Sequence, residues 1–426
     1  MTEAMSHDYD TIIVGGGPAG STAAAVLAER GRRVLVLERE AFPRYCVGES
    51  MLPYCYFPLE RIGVLDALKD STFSVNKHSV QFVTMDGRIS APFYFFQHLD
   101  HEAAQTWQVR RSEFDTMLLD NARRKGAVVR ERTSARRLIV EDEVVRGVET
   151  EDEDGTTRPW RAAMTLDCSG RDGFAINRQD WRIRDAVLSK VAMWTYYRGA
   201  MRDEGLDEGA TTVAYVPEKG WFWYIPLPDD TVSVGITADH EYLYRDGKDL
   251  ERIFDAQIEQ NAWIRDHLAP GRRVEKIRVT GDYSYRSRYC AADGLLLAGD
   301  AFAFLDPVFS SGLFLALRSG EMAGDAIDAA LSRDDVSATA FADYGRELCA
   351  GMEAMRKLVY AFYDRTFSFG KLLKKHPDLR GDLTDCLIGN LFRDFDPLFD
   401  AVAQFADVPT PLAHGKPKER VVLPRS

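Results

Sequence analysis

The chain has 426 residues, 45% of them hydrophobic and 28% charged, the balance of a folded protein with two or three packed subdomains rather than of a disordered chain. With 54 basic and 66 acidic side chains the formal net charge is −12, which argues against nucleic acid or an anionic membrane as the main partner.

The opening MTEAMSHDYD lacks the apolar core of a secretion signal. Residues 9–40 then alternate strand, glycine loop, helix and strand: TIIV, VGGGPAG, STAAAVLAER closed by Gly31, and RVLVLE. Gly15, Gly17 and Gly20 stand in a GxGxxG pattern. Gly15 permits the tight turn, Gly17 lets backbone approach a pyrophosphate, and Gly20 lets helix and strand pack closely. The helix N-terminus, which includes Ala19, offers free N–H groups to phosphate, and Glu38 closes the second strand where a ribose-binding carboxylate belongs. This combination predicts a dinucleotide site.

Further along, VQFVTM, TTVAYV, FWYIP and VSVGIT are short, β-branched or aromatic, and bounded by turn residues, as in an antiparallel sheet. His98 and His101 lie beside Asp100 without a further Cys or His, so no metal site is expected there. EFDTMLLDNARRKG reads as an amphipathic helix, RRLIVEDEVVRGVETEDEDG as a hairpin, and MTLDCSG as a strand ending in a small-residue loop. The acidic cluster Glu149–Asp154 reads as a solvated turn. The longest apolar run, Gly294–Leu317, is broken by Asp300, Asp306 and Pro307 and cannot span a membrane. Beyond Gly312 the pattern is helical to about Ala406. The six cysteines are scattered with no CxxC pair, which suits reduced thiols in a cytoplasm.

The expected fold is α/β plus antiparallel β. A Rossmann-like, glutathione-reductase-type FAD-binding domain would be built from residues 1–75, 111–180 and 280–335. An antiparallel substrate sheet would come from 76–110 and 181–279, followed by a helical region at 336–409 and a tail at 410–426.

Several motifs carry a family resemblance. LLLAGDAFAFLDPVFSSG, the R-x-x-F-D pattern of Arg111, Phe114 and Asp115, and the DCSG turn at Asp167–Gly170 resemble the flavoprotein hydroxylases. FPRYCVGESMLP, with Arg44 and Gly48-Glu49-Ser50, and WFWYIP, with Trp221, Trp223, Ile225 and Pro226 in a WxWxIP pattern, resemble the flavin-dependent halogenases of that superfamily. The resemblance implies FAD as cofactor, used as FADH2, with Arg44, Ser50, Arg111, Asp300, Pro307, Gly312 and Leu313 joining the glycine loop and Glu38 around it. It implies that O2 and a chloride or bromide ion yield hypohalous acid, that backbone N–H groups of Ser311 and Gly312 bind the halide, and that Lys77 receives the oxidised halogen.

Two tryptophans at alternate positions of a strand share one face; the resemblance makes that face a wall between flavin and substrate. Tryptophan-halogenating relatives carry a glutamate where this chain has Phe309, which points instead to a phenol or pyrrole, free or tethered to a carrier protein. Aromatic residues of 340–406 would cover it. With no second dinucleotide fingerprint, reduced flavin is expected from a separate reductase. The alternatives are an aromatic hydroxylase using NAD(P)H and a polyprenyl reductase of the same fold.

Overall fold

In the computed structural model, residues 8–281, 284–364 and 366–418 are described; the end of the expected tail, 419–426, lies outside them. The strand Tyr9–Val14 is buried on both faces through Ile12, Ile13 and Val14, as a central parallel strand requires. It lies between Val34–Leu37 and Thr157–Asp167, both parallel to it. Val128–Arg130 and Leu295–Leu297 continue the sheet on either side.

Helix Pro18–Glu29 leaves the first strand through the glycine loop. Gly15 holds φ +104°, and a Cβ there would stand 2.3 Å from the Cys168 carbonyl oxygen, so only glycine closes this turn against the neighbouring strand. Helix Gly312–Ser332 crosses the first helix at backbone contact. A Cβ at Gly320 would lie 2.3 Å from the Ala19 carbonyl oxygen, and one at Gly324 would lie 2.8 Å from a methyl of Val26.

The second sheet runs Lys190–Arg198, Thr231–Asp239, Trp221–Leu227, Thr211–Tyr215, each pair antiparallel. Ser79–Val83 then joins Thr211–Tyr215 in parallel, a departure from the expected all-antiparallel pattern. The two strands are distant in sequence and not joined by a hairpin, so no tight turn imposes an antiparallel return. Ser74–Lys77 stands apart in a two-stranded ribbon with Thr106–Val109.

Three helices interrupt the stretch expected to be sheet: His240–Leu243, Leu250–Ile258 and Ala262–Leu268. Asp249 and Asn261 cap the latter two through their side chains. Ile253, Phe254, Ile258, Ile264 and Leu268 cover the sheet face that carries Phe222 and Tyr224.

The acidic cluster is not simply a turn. Glu149 and Glu151 belong to the strand Val144–Asp152, and they pair with Arg137 and Arg136 of the adjoining strand at 2.6 and 2.9 Å. Cross-strand charge pairing accounts for their placement in a ladder. Beyond residue 332 the chain is helical at Ala342–Tyr363, Phe369–Lys375, Arg380–Ile388 and Asp396–Val402. Among the described residues no helix is long and apolar enough to cross a membrane.

Candidate active site

Along Trp221–Leu227 the side chains alternate between two cores. Trp221, Trp223 and Ile225 join the larger one, while Phe222 and Tyr224 join the smaller. The two indoles stand 6.0 Å apart and tilted, forming one aromatic surface. Trp223 has room because its cross-strand partner is Gly235: a Cβ there would lie 2.2 Å from the indole ring. Pro226 takes the opposite face, opposite Val232. It lies beyond Tyr224, where pairing with Thr211–Tyr215 ends, so that neighbour asks no N–H of it.

The indole face and Ile225 line a cavity of about 610 Å³ that runs back to the glycine loop. Gly15, Gly17, Ala19, Glu38, Arg44 and Arg111 line it together with Ser50, Trp221, Trp223, Asp300, Pro307, Gly312 and Leu313. Gly20 lies behind this wall: its Cβ would strike the Gly15 carbonyl oxygen at 1.9 Å, so its smallness serves packing. Arg44 and Arg111 converge on buried Asp115, at 3.1 and 2.8 Å. Glu38 accepts from the Gly16 and Glu40 N–H groups at 2.8 and 2.9 Å. Burial pushes the Asp300 carboxyl up to about 6.

Gly312 opens the helix Gly312–Ser332, whose first N–H groups have no acceptor within the helix. Ser311, 1% exposed, sits behind the cavity wall, and Ser310 precedes it in a left-handed conformation. Asp306 anchors this loop by accepting from the Val308 N–H at 3.1 Å and the Tyr363 hydroxyl at 2.9 Å. The Tyr363 oxygen in turn accepts from the Trp221 indole N–H at 2.9 Å. One tyrosine of the C-terminal helical region therefore ties the tryptophan strand to the loop. Nothing in the sequence links these residues, since Tyr363 lies 142 positions from Trp221.

Lys77 is 0% exposed. Its Nζ donates to Ser50 Oγ at 2.8 Å and to the Met51 carbonyl at 3.0 Å, 5.6 Å from the centroid of the Phe95 ring. Burial lowers its pKa to about 7. Ser50 lines the cavity and Lys77 lies behind it, so a single hydroxyl separates the amine from the void. Ser50 also bonds to Thr211 Oγ1 at 3.0 Å. The histidines considered above have other partners: His101 Nδ1 accepts from the Ala103 N–H at 3.0 Å, and His98 stacks on Phe93.

Residues 10–105 and 86–369 match the model of the tryptophan halogenase family. The chain belongs to the flavin-dependent halogenases. It is 33% identical over 359 residues, 83% of this chain and 67% of the other, to a tryptophan 2-halogenase of Chondromyces crocatus. It is 30% identical over 387 residues, 90% of this chain and 92% of the other, to a 1H-pyrrole-2-carbonyl-[peptidyl-carrier protein] brominase of Pseudoalteromonas luteoviolacea. The fold superposes on the flavin-dependent brominase Bmp2 with a TM-score of 0.85 at 26% identity, covering 94% of this chain and 98% of that one. As a halogenase of this family it uses FAD with halide and O2.

The cavity of the halogenase suits that cofactor. Its volume lies in the range of cofactor sites, and its lining offers a helix N-terminus and two arginines for a pyrophosphate and an aromatic surface for a flat ring. Beyond the wall, Phe309 of the loop packs at 5.7 Å against Phe362 and 6.2 Å against Phe369, and Tyr215 stacks on Phe362. Of the other C-terminal aromatics, Tyr360 donates to Asp185 and Phe392 packs on Phe314.

Proposed function

We propose that this halogenase chlorinates or brominates a phenol or pyrrole ring, free or carried on a protein, with Lys77 as the residue that delivers the halogen. The observation that carries this reading is the wholly buried amine, held by Ser50 and Met51, whose pKa burial lowers to about 7. A neutral amine has the lone pair that an ammonium lacks. Relatives matched end to end support the substrate class, since the brominase named above is aligned over 92% of its length. Phe309 supports it too, because an apolar ring stands where a charged group would otherwise steer an unactivated substrate.

When bound, FAD supplies the reducing equivalents with which O2 and halide give hypohalous acid. Arg44 and Arg111, with the glycine loop, would hold its pyrophosphate, Glu38 a ribose, and Asp300 the chain leading to the ring. The N–H groups of Ser311 and Gly312 hold the halide by the field of a helix N-terminus. Trp221 and Trp223 keep the organic substrate out of the cofactor cavity. The amine of Lys77 and hypohalous acid give a haloamine and water. The substrate ring then takes the halogen and returns its proton to the nitrogen. Reduced flavin comes from a separate reductase.

The test is mass spectrometry of products from phenolic and pyrrolic substrates, free and carrier-bound, with FADH2, O2 and either halide. Wild-type protein should add chlorine or bromine. Lys77→Ala should keep FAD and release hydrogen peroxide while losing halogenation by about a hundredfold or more. Halogenated product at the wild-type rate from that variant would remove Lys77 from the reaction, and an oxygenated, halogen-free product would indicate hydroxylation.

A further inference from the structure

Halogenation of a ring C–H by FADH2, O2 and halide gives FAD, the carbon–halogen bond and two waters only if one further proton is consumed. A cavity closed by its cofactor needs a way to admit that proton. Glu49, of the Gly48-Glu49-Ser50 segment, lines the cavity and is 3% exposed. Its backbone is pinned, since the Val109 N–H donates to the Glu49 carbonyl at 2.8 Å.

The Glu49 carboxyl is not the counter-ion of Arg111. That guanidinium is bidentate on Asp115, at 2.8 and 3.0 Å, and gives its remaining bonds to the carbonyls of Val47 and Gly48. Glu49 instead accepts from the Tyr196 hydroxyl at 2.7 Å and from the Gly48 N–H at 3.1 Å. Tyr196 Oη lies 3.1 Å from Tyr45 Oη, and Tyr45, which also lines the cavity, is 44% exposed. The direction of this chain is determined. Tyr196 spends its hydrogen on Glu49, so Tyr45 must donate to Tyr196, and Tyr45 accepts the Trp194 indole N–H at 2.6 Å. With Glu49 as carboxylate, both hydroxyls point towards it.

We propose that Tyr45, Tyr196 and Glu49 form a proton inlet, carrying one proton per turnover from solvent to the wall of the flavin cavity. As the Glu49 carboxylate takes the Tyr196 proton, Tyr196 takes that of Tyr45, and Tyr45 takes one from water. The resulting acid releases its proton into the cavity and returns to carboxylate. Because the hydroxyls gain and lose protons together, no tyrosinate forms. Burial raises the pKa of Glu49, so that the acid form is accessible, while Tyr196, Gly48 and the Arg111 charge oppose the rise. The other charged group facing the relay is Arg278, over the Tyr45 ring at 3.8 Å.

The test uses the resting protein loaded with oxidised FAD. Infrared difference spectra should show a protonated-carboxyl band that titrates with pH and is absent from Glu49→Gln. In Tyr196→Phe and Tyr45→Phe, with FAD affinity within about twofold of wild type, the band should rise about tenfold or more slowly after a downward pH jump. Halogenation should slow by the same factor. Tyr45 is at the surface, so its variant carries the test if Tyr196→Phe fails to fold. A band that survives in Glu49→Gln, or an unchanged rise in the tyrosine variants, would overturn the proposal and leave the halogenase assignment standing.

Discussion

Lys77 opposes folding wherever its amine is charged in the unfolded chain. In the fold the pKa is about 7; unfolded, it is about 10.4. Between those values the unfolded chain binds more protons, so stability rises with pH across that window, and the penalty is fully present below about 7. Lys77→Met, which keeps the bulk and discards the charge, should therefore stabilise the protein at pH 7 by up to about 4 kcal/mol, an advantage that fades towards pH 10.5. Urea titrations of both proteins at several pH values measure this, and equal stability at pH 7 would contradict it. The residue was found through family likeness alone. A lone lysine in NKHSVQFVTM gives no sign of burial, and its partner Ser50 comes from a different segment.

The tryptophan strand was legible as an element because it is a short aromatic run bounded by turn residues, yet its neighbours were not. In the sheet Gly235 is the seat of an indole, of which the run VSVGIT gives no sign. Gly235→Ala should expel Trp223 from its position, cut halogenation by about tenfold or more and leave FAD binding near wild type; product yield and tryptophan fluorescence report both effects. Tyr363 is a second such element-level tie. Tyr363→Phe would leave the Trp221 N–H without its acceptor and remove the hydroxyl that donates to Asp306 beside the Val308 N–H, at a cost of about 2 kcal/mol. Asp306 is already pushed up to about 6 by burial, and losing the hydroxyl raises it further. An acid with a raised folded pKa loses stability as pH climbs from its unfolded value, so the variant should suffer more at pH 7 than at pH 5 in thermal melts. The helices at 240–268 escaped notice because isolated β-like runs on both sides set the expectation, although their own caps, Asp249 and Asn261, were in plain view.

For the molecule as a whole, the cofactor cavity is the joint between the two sheets, lined by Val14 and Leu37 of one and by Trp194, Thr211 and Trp221 of the other. Filling it should stabilise both together. At a hundredfold excess of FAD over Kd the gain is about 2.7 kcal/mol, and a calorimetric melt should shift upward as one transition rather than splitting. The strand, loop, helix and strand at the start of the chain followed from periodicity and glycine placement; the long-range meeting of segments did not, because pairing such as Ser79–Val83 with Thr211–Tyr215 has no local signature. A consequence follows from the crossing of helices Pro18–Glu29 and Gly312–Ser332, where Gly320 touches Ala19 backbone to backbone. One helix begins beside the glycine loop and the other at the Ser311–Gly312 turn, so this contact sets the distance between the two helix N-termini. A single added methyl at position 320 would push against Ala19 and widen the gap between those N-termini, reshaping the cavity from a position that does not line it.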